Sequence, residues 1–154
     1  MKYDIERNLN RIEKYCNYNS KIFEEINNKA KDALNEIEKM KNIKPVISWY
    51  DINPNNILVD EKGMITGFLD AGGARFAAKE WDLAFIKMDL CNNKEEFLYF
   101  KEEYSKYNDI NENLLEVLTI VVEIDDIAFQ LETKTKLPIP FESNFKEEIN
   151  SVLG

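Results

Sequence analysis

The sequence predicts a mainly α, α+β fold: a helical body interrupted by one small β insert. Three observations point to it. Apolar residues recur at helical spacing over residues 4–42 and again over 94–133. Between these blocks, residues 45–69 hold short apolar and β-branched runs separated by Asp, Asn, Pro and Gly. A chain of 154 residues, 44% apolar and 32% charged, suits one domain with an adequate core. Residues 1–154 are therefore read as a single domain.

The elements follow in order. Ile5, Leu9, Ile12, Tyr15 and Cys16 mark a first helix over residues 4–19. Ile22, Phe23, Ile26, Ala30, Ala33, Leu34, Ile37 and Met40 mark a second over 20–42, with Ser20 as its N-cap and Glu24 favourable in its first turns. That helix should stop before Pro45. Residues 45–49 read as a strand, 56–60 and 64–69 as two more, and Asp60-Glu61-Lys62-Gly63 as the tight turn between the latter pair. Asp51 to Asn55, with Pro54 and its Asn residues, reads as a loop. After Gly73 the chain should be irregular until a helix begins at Trp81. Further helices are expected over 94–107, over 112–133 as the longest and most buried, and over 145–153 beyond Pro138 and Pro140.

Charge and composition exclude several functions. Twenty basic against 29 acidic residues give a net charge of −9, which argues against a broad nucleic-acid interface and for cationic ligands. The absence of histidine removes Ser-His and Cys-His catalysis and His-ligated zinc. Cys16 and Cys91 lack metal-ligand spacing and read as two idle thiols in a reducing compartment. The charged start shows no signal peptide, and the apolar run over residues 114–131 is interrupted by Glu116, Glu123, Asp125 and Asp126. A cytoplasmic protein without a membrane partner is expected.

The chemistry is concentrated in the β insert. Asp51 is followed five residues later by Asn56, and Asp70 stands fourteen residues beyond that. One carboxylate to orient a hydroxyl proton, with an Asn and an Asp to hold a metal, suits phosphoryl transfer. Taken singly, these residues also read as turn formers, because Asx side chains cap turns. Asp125 and Asp126 lie on an apolar helix, where a salt bridge or an exposed helix edge competes with a ligand contact.

The segment Trp49-Tyr50-Asp51-Ile52-Asn53-Pro54-Asn55-Asn56-Ile57-Leu58-Val59 resembles the H-G-D-x-x-x-x-N loop of the aminoglycoside phosphotransferase and choline kinase family. Gly67-Phe68-Leu69-Asp70-Ala71-Gly72 resembles the family's G-x-I-D-x-G metal-binding segment, and Glu80-Trp81-Asp82-Leu83-Ala84-Phe85 its later D-x-x-Y-D-L-A motif. The resemblance implies the helical C-terminal lobe of a kinase-like fold. It implies Asp51 as the catalytic residue that accepts or orients the acceptor's proton. Asn56 and Asp70 would be ligands of Mg2+, with ATP or GTP as donor. Asp82 would be a scaffold residue accepting hydrogen bonds from the loop, Asn53 a shaper of the loop, and Asp125 and Asp126 contacts for a small hydroxyl-bearing acceptor, cationic by the charge of the chain.

The sequence departs from the pattern at three points. Trp49 stands for the family's His, Tyr50 for its Gly, and Ala78 for an acidic residue. Residues 1–50 contain no glycine, so no glycine-rich phosphate loop is expected there, and the family's β-rich N-terminal lobe is expected to be absent. The resemblance thus implies a phosphotransferase in a partial form, dependent on an N-lobe from a partner chain. The alternative is a catalytically degenerate pseudokinase or a protein-interaction module that self-associates or docks a partner through the vacant face.

Overall fold

The computed structural model describes residues 2–15, 21–50 and 52–134. Asp51, Cys16, Ser20 and the helix expected over 145–153 lie outside the described residues. The architecture is mainly helical, with two small two-stranded antiparallel sheets. Its order is α1 (Lys2–Tyr15), α2 (Lys21–Lys39), β1 (Val46–Ser48), β2 (Ile57–Val59), β3 (Ile65–Phe68), β4 (Arg75–Ala77), α3 (Glu80–Phe85), α4 (Lys94–Ser105) and α5 (Glu112–Thr133).

The longest helix organises the rest. α5 packs against α1, α2 and α3. It buries residues around most of its circumference, including Leu114, Leu118, Val121, Ile124, Ile127 and Leu131. Such all-round burial marks a central helix, whereas α1 and α2 offer one apolar stripe each. Ile5 and Ile12 of α1 and Ile26, Ala30 and Ala33 of α2 supply those stripes. Burying a side chain the size of Ile or Leu contributes roughly 1.5–3 kcal/mol, so this contact set is the main source of cohesion. None of the helices among the described residues is long and apolar enough to cross a membrane.

Capping fixes where the helices begin. Asn93 accepts a hydrogen bond from the Glu96 amide at 2.9 Å, and Glu96 accepts from the Asn92 amide in return. At the start of α5, Asn111 accepts from the Leu114 amide. The Asn111 amide donates to Glu80 Oε1 at 3.0 Å, so a buried carboxylate at the start of α3 pins that helix to the start of α5. After α3 the chain widens into a π-helical turn over Ile86–Leu90.

The β insert differs from expectation in one respect. Residues 74–80 were expected to be irregular, yet Arg75–Ala77 forms β4 and pairs antiparallel with β1, setting Ile47 opposite Phe76 and Ser48 opposite Arg75. Three residues are too few for alternation to announce a strand; a partner 29 residues earlier in the chain supplies the hydrogen bonds. β2 and β3 form the expected hairpin. Its turn is held by Asp60 Oδ1, which accepts from the Lys62 and Met64 amides, and by Gly63 at φ 76°.

Candidate functional site

The loop between β1 and β2 is fixed from three directions. From α3, Asp82 reaches the end of β1: Oδ1 accepts from the Ser48 hydroxyl at 2.6 Å and the Tyr50 amide at 3.1 Å, and Oδ2 accepts from the Trp49 amide at 3.2 Å. Burial pushes the Asp82 carboxyl above its ordinary value, and the bonds from Ser48 and Trp49 oppose that shift. Within the loop, Asn53 Oδ1 accepts from the Asn55 amide at 2.9 Å and opens a 3-10 turn over Pro54–Asn56, with Pro54 in the first turn where its missing N–H costs nothing. At the far end the Asn56 carbonyl accepts from the Leu69 amide at 2.8 Å.

That last bond brings Asn56 beside the residue before Asp70. Asp70 has φ 54° and ψ 56°, a left-handed conformation that Asp tolerates better than most residues, and it opens the 3-10 turn Ala71–Gly73. An Asp at this position would ordinarily cap the turn, yet its side chain makes no capping bond. Its Oδ1 lies over Gly72, where a β-carbon would stand 3.4 Å away. The backbones of Asn56 and Asp70 thus lie close together, and neither side chain is committed to a hydrogen bond with another described residue. Two hard oxygen donors suit a magnesium ion, which keeps several waters and takes further ligands from phosphates. Among the described residues there is no cluster of three or more acidic or Cys side chains that could hold a metal without such help.

Two departures from the motif acquire physical accounts. Tyr50 has φ 72°, the left-handed region that costs a non-glycine residue about 1–2 kcal/mol. Its ring stacks on Trp81, with centroids 5.0 Å apart and planes 13° from parallel, and it also touches Phe85. The Arg75 guanidinium lies over the same ring. Trp49 turns its indole N–H to the Asp70 carbonyl at 3.1 Å and sets its ring edge-on to Phe68, with centroids 5.0 Å apart. Ala78 is buried and packs in the core.

A cleft of about 760 Å3 opens beside this loop. Tyr50, Ile52 and Asn53 to Asn55 line one side, and Phe85, Met88 and Asp89 the other. Asp125, Asp126 and Phe129 of α5 and Arg11 of α1 complete it. Asp125 is not a lone charge. It accepts from buried Asn8 at 2.6 Å and lies 3.5 Å from Arg11 and 3.8 Å from Arg7. Arg11 also bridges to Glu132 at 2.6 Å. Asp125 therefore joins α5 to α1 while facing the cleft.

Sequence reasoning missed Asp89, Arg11, Asn8 and Arg75. Asp89 stands in a π-helical turn, which is frequent at functional sites but has no residue signature. Asn8 and Arg11 meet Asp125 across more than 110 residues, a separation at which no local pattern connects them. No family model, curated protein or solved structure matches the chain.

Proposed function

We propose that this chain is part of an ATP- and magnesium-dependent small-molecule phosphotransferase of the aminoglycoside phosphotransferase type. The observation that carries the reading is the anchoring of residues 48–56: Asp82 grips one end by three hydrogen bonds, and the Leu69 amide ties the other end next to Asp70. Such anchoring is what a loop that positions reactants needs, since a loose phosphoryl-transfer transition state responds to placement more than to strong basicity.

In this reading Asp51 orients the acceptor hydroxyl. Asn56 and Asp70 hold the magnesium, which when bound would neutralise the donor's phosphates. Asn53 shapes the loop and Asp82 holds it. The acceptor occupies the cleft, where Phe85 and Phe129 offer aromatic surface and Asp89, Asp125 and Asp126 carry negative charge, with Arg11 in the lining and Arg7 3.8 Å from Asp125 as the neighbouring cations among the described residues. A small cation carrying a hydroxyl matches that lining. The donor, ATP or GTP, further requires a phosphate-covering loop, and residues 1–50 have no glycine with which to build one. Turnover therefore depends on a β-rich lobe from outside these 154 residues.

A second reading, a pseudokinase or protein-interaction module, is favoured by the β insert's surface. Ile47 and Phe76, opposite each other, are 74% and 76% exposed, and Leu58, Val59, Met64, Ile65 and Phe68 are exposed as well. Two-stranded sheets are marginal alone, and exposed apolar surface of this kind fits a docked lobe or a second copy.

Calorimetric titration with magnesium and ATP separates the two. Binding by the full chain that vanishes in Asp70→Ala supports the phosphotransferase reading. Undiminished affinity in that variant sinks the metal assignment, and no binding with or without a β-rich lobe leaves the interaction module.

A further inference from the structure

We propose that Trp49 is a positioning residue: its indole N–H, bound to the Asp70 carbonyl, holds the left-handed turn that presents the Asp70 carboxylate and so couples this turn to the loop that follows β1. This inference rests on the metal role given to Asp70 above.

Three observations carry it. Asp70 needs an outside hold, because a left-handed non-glycine residue persists only where its surroundings over-determine it. Its own side chain does not supply that hold, since it makes no capping bond to the turn Ala71–Gly73. The indole does: it reaches the carbonyl of Asp70 itself at 3.1 Å. The indole is in turn fixed at both ends. The Trp49 amide donates to Asp82 Oδ2, and the ring stands edge-on to Phe68, two residues before Asp70. Asp82, Trp49 and Asp70 thus form a chain of contacts running from α3 through the loop to the turn. A movement of the loop backbone at Trp49 is transmitted to the residue that carries the carboxylate.

The test uses the full chain with Trp49→Phe, which keeps an aromatic ring and removes the donor, and Trp49→His, which restores an N–H. The first readout needs no metal. In the turn, the Ala74 amide donates to the Ala71 carbonyl at 3.0 Å, and its hydrogen exchange, followed by NMR, reports whether the turn is held. We expect Ala74 exchange to accelerate about tenfold in Trp49→Phe, the loss of one hydrogen bond, and to return toward the parent rate in Trp49→His. Equal Ala74 protection in Trp49→Phe and the parent overturns the proposal. The second readout is Mn2+ affinity, from water-proton relaxation with ATP present. A loss of about tenfold in Trp49→Phe with recovery in Trp49→His supports the coupling. Unchanged Mn2+ affinity in Trp49→Phe overturns it while leaving the Asp70 site in place. A Trp with only a packing role would lower the melting temperature of both variants alike without moving either readout. Should the parent chain bind no Mn2+, the metal reading fails, and the Ala74 exchange still decides whether Trp49 holds the turn.

Discussion

The Ser48 hydroxyl and the Asp82 carboxylate, 34 residues apart, meet at 2.6 Å. The same carboxylate takes the amides of Trp49 and Tyr50, so one side chain satisfies three donors at the point where β1 gives way to the loop. Ser48 is fully buried and Trp49 and Tyr50 are half-buried, so the Ser48 hydroxyl is the costliest of these donors to strand.

Asp82→Ala is therefore expected to destabilise the fold by about 2–3 kcal/mol, the cost of leaving buried donors without an acceptor. Asp82→Asn should lie between this variant and the parent. Its amide oxygen still serves Ser48 and Tyr50, but its NH2 faces the Trp49 N–H, donor against donor. Urea denaturation of the three proteins checks the order. Equal stabilities would show that the carboxylate is dispensable to the loop.

The pH dependence of the same pair of proteins has a definite sign. The Asp82 carboxyl is raised in the fold, chiefly by burial. The native state therefore holds the proton more tightly than the unfolded chain. The resulting stabilisation is fully present below the ordinary aspartate pKa of about 3.9 and is lost as pH rises through the raised value. The stability of the parent minus that of Asp82→Asn should fall with rising pH across that window and then level off. A difference that grows with pH would mean that the loop donors outweigh burial.

Tyr50 sets up an unusual order between two small substitutions. Elsewhere alanine is favoured over glycine by chain entropy. At φ 72° the order reverses, because alanine keeps the left-handed cost and glycine does not. Both lose the ring that lies between Arg75 and Trp81. Tyr50→Gly should thus be less stable than the parent but more stable than Tyr50→Ala, by about 1 kcal/mol. Thermal melts decide, and the opposite order would show that the backbone relaxes out of the left-handed region once the ring is gone.

Asn8 and Asp125 should couple energetically. Asn8 is almost fully buried, and its amide donates to a carboxylate at 2.6 Å while its oxygen accepts from Arg11 at 2.9 Å. Asn8→Ala is expected to cost about 1–2 kcal/mol. A double-mutant cycle with Asp125→Ala should return an interaction of about 1 kcal/mol. Additive losses would mean that the two residues act independently and that α1 is held to α5 by apolar packing and the Arg11–Glu132 ion pair.

The helical body was legible because period and burial agree. Ile26, Ala30 and Ala33 fall on one stripe of α2 and are buried, and the long apolar run became the central helix α5. The hairpin was legible from Asp60 and Gly63, which carry their turn chemistry in their own residue types. What escaped depends on partners distant in sequence. β4 exists because β1 lies beside it, and Arg11 matters because Asp125 comes within reach only after α1 docks on α5. The Tyr50 conformation was invisible for the same reason: nothing in the local sequence says that Trp81 and Arg75 will enclose its ring.

The bond from the Asn111 amide to Glu80 has a mechanical consequence. It locks the starts of α3 and α5 together, so the helical wall of the cleft behaves as the fixed jaw of a vice. The opposite jaw is bolted at both ends, by buried Ile52 and by the Asn56 carbonyl. Between those ends Asn53, Pro54 and Asn55 form the rim of the opening, held as a 3-10 turn by the Asn53 side chain and by the Asn56 amide on the Asn53 carbonyl. The width of the opening is then set by three residues, and lengthening or shortening that span is the direct way to change which molecules fit.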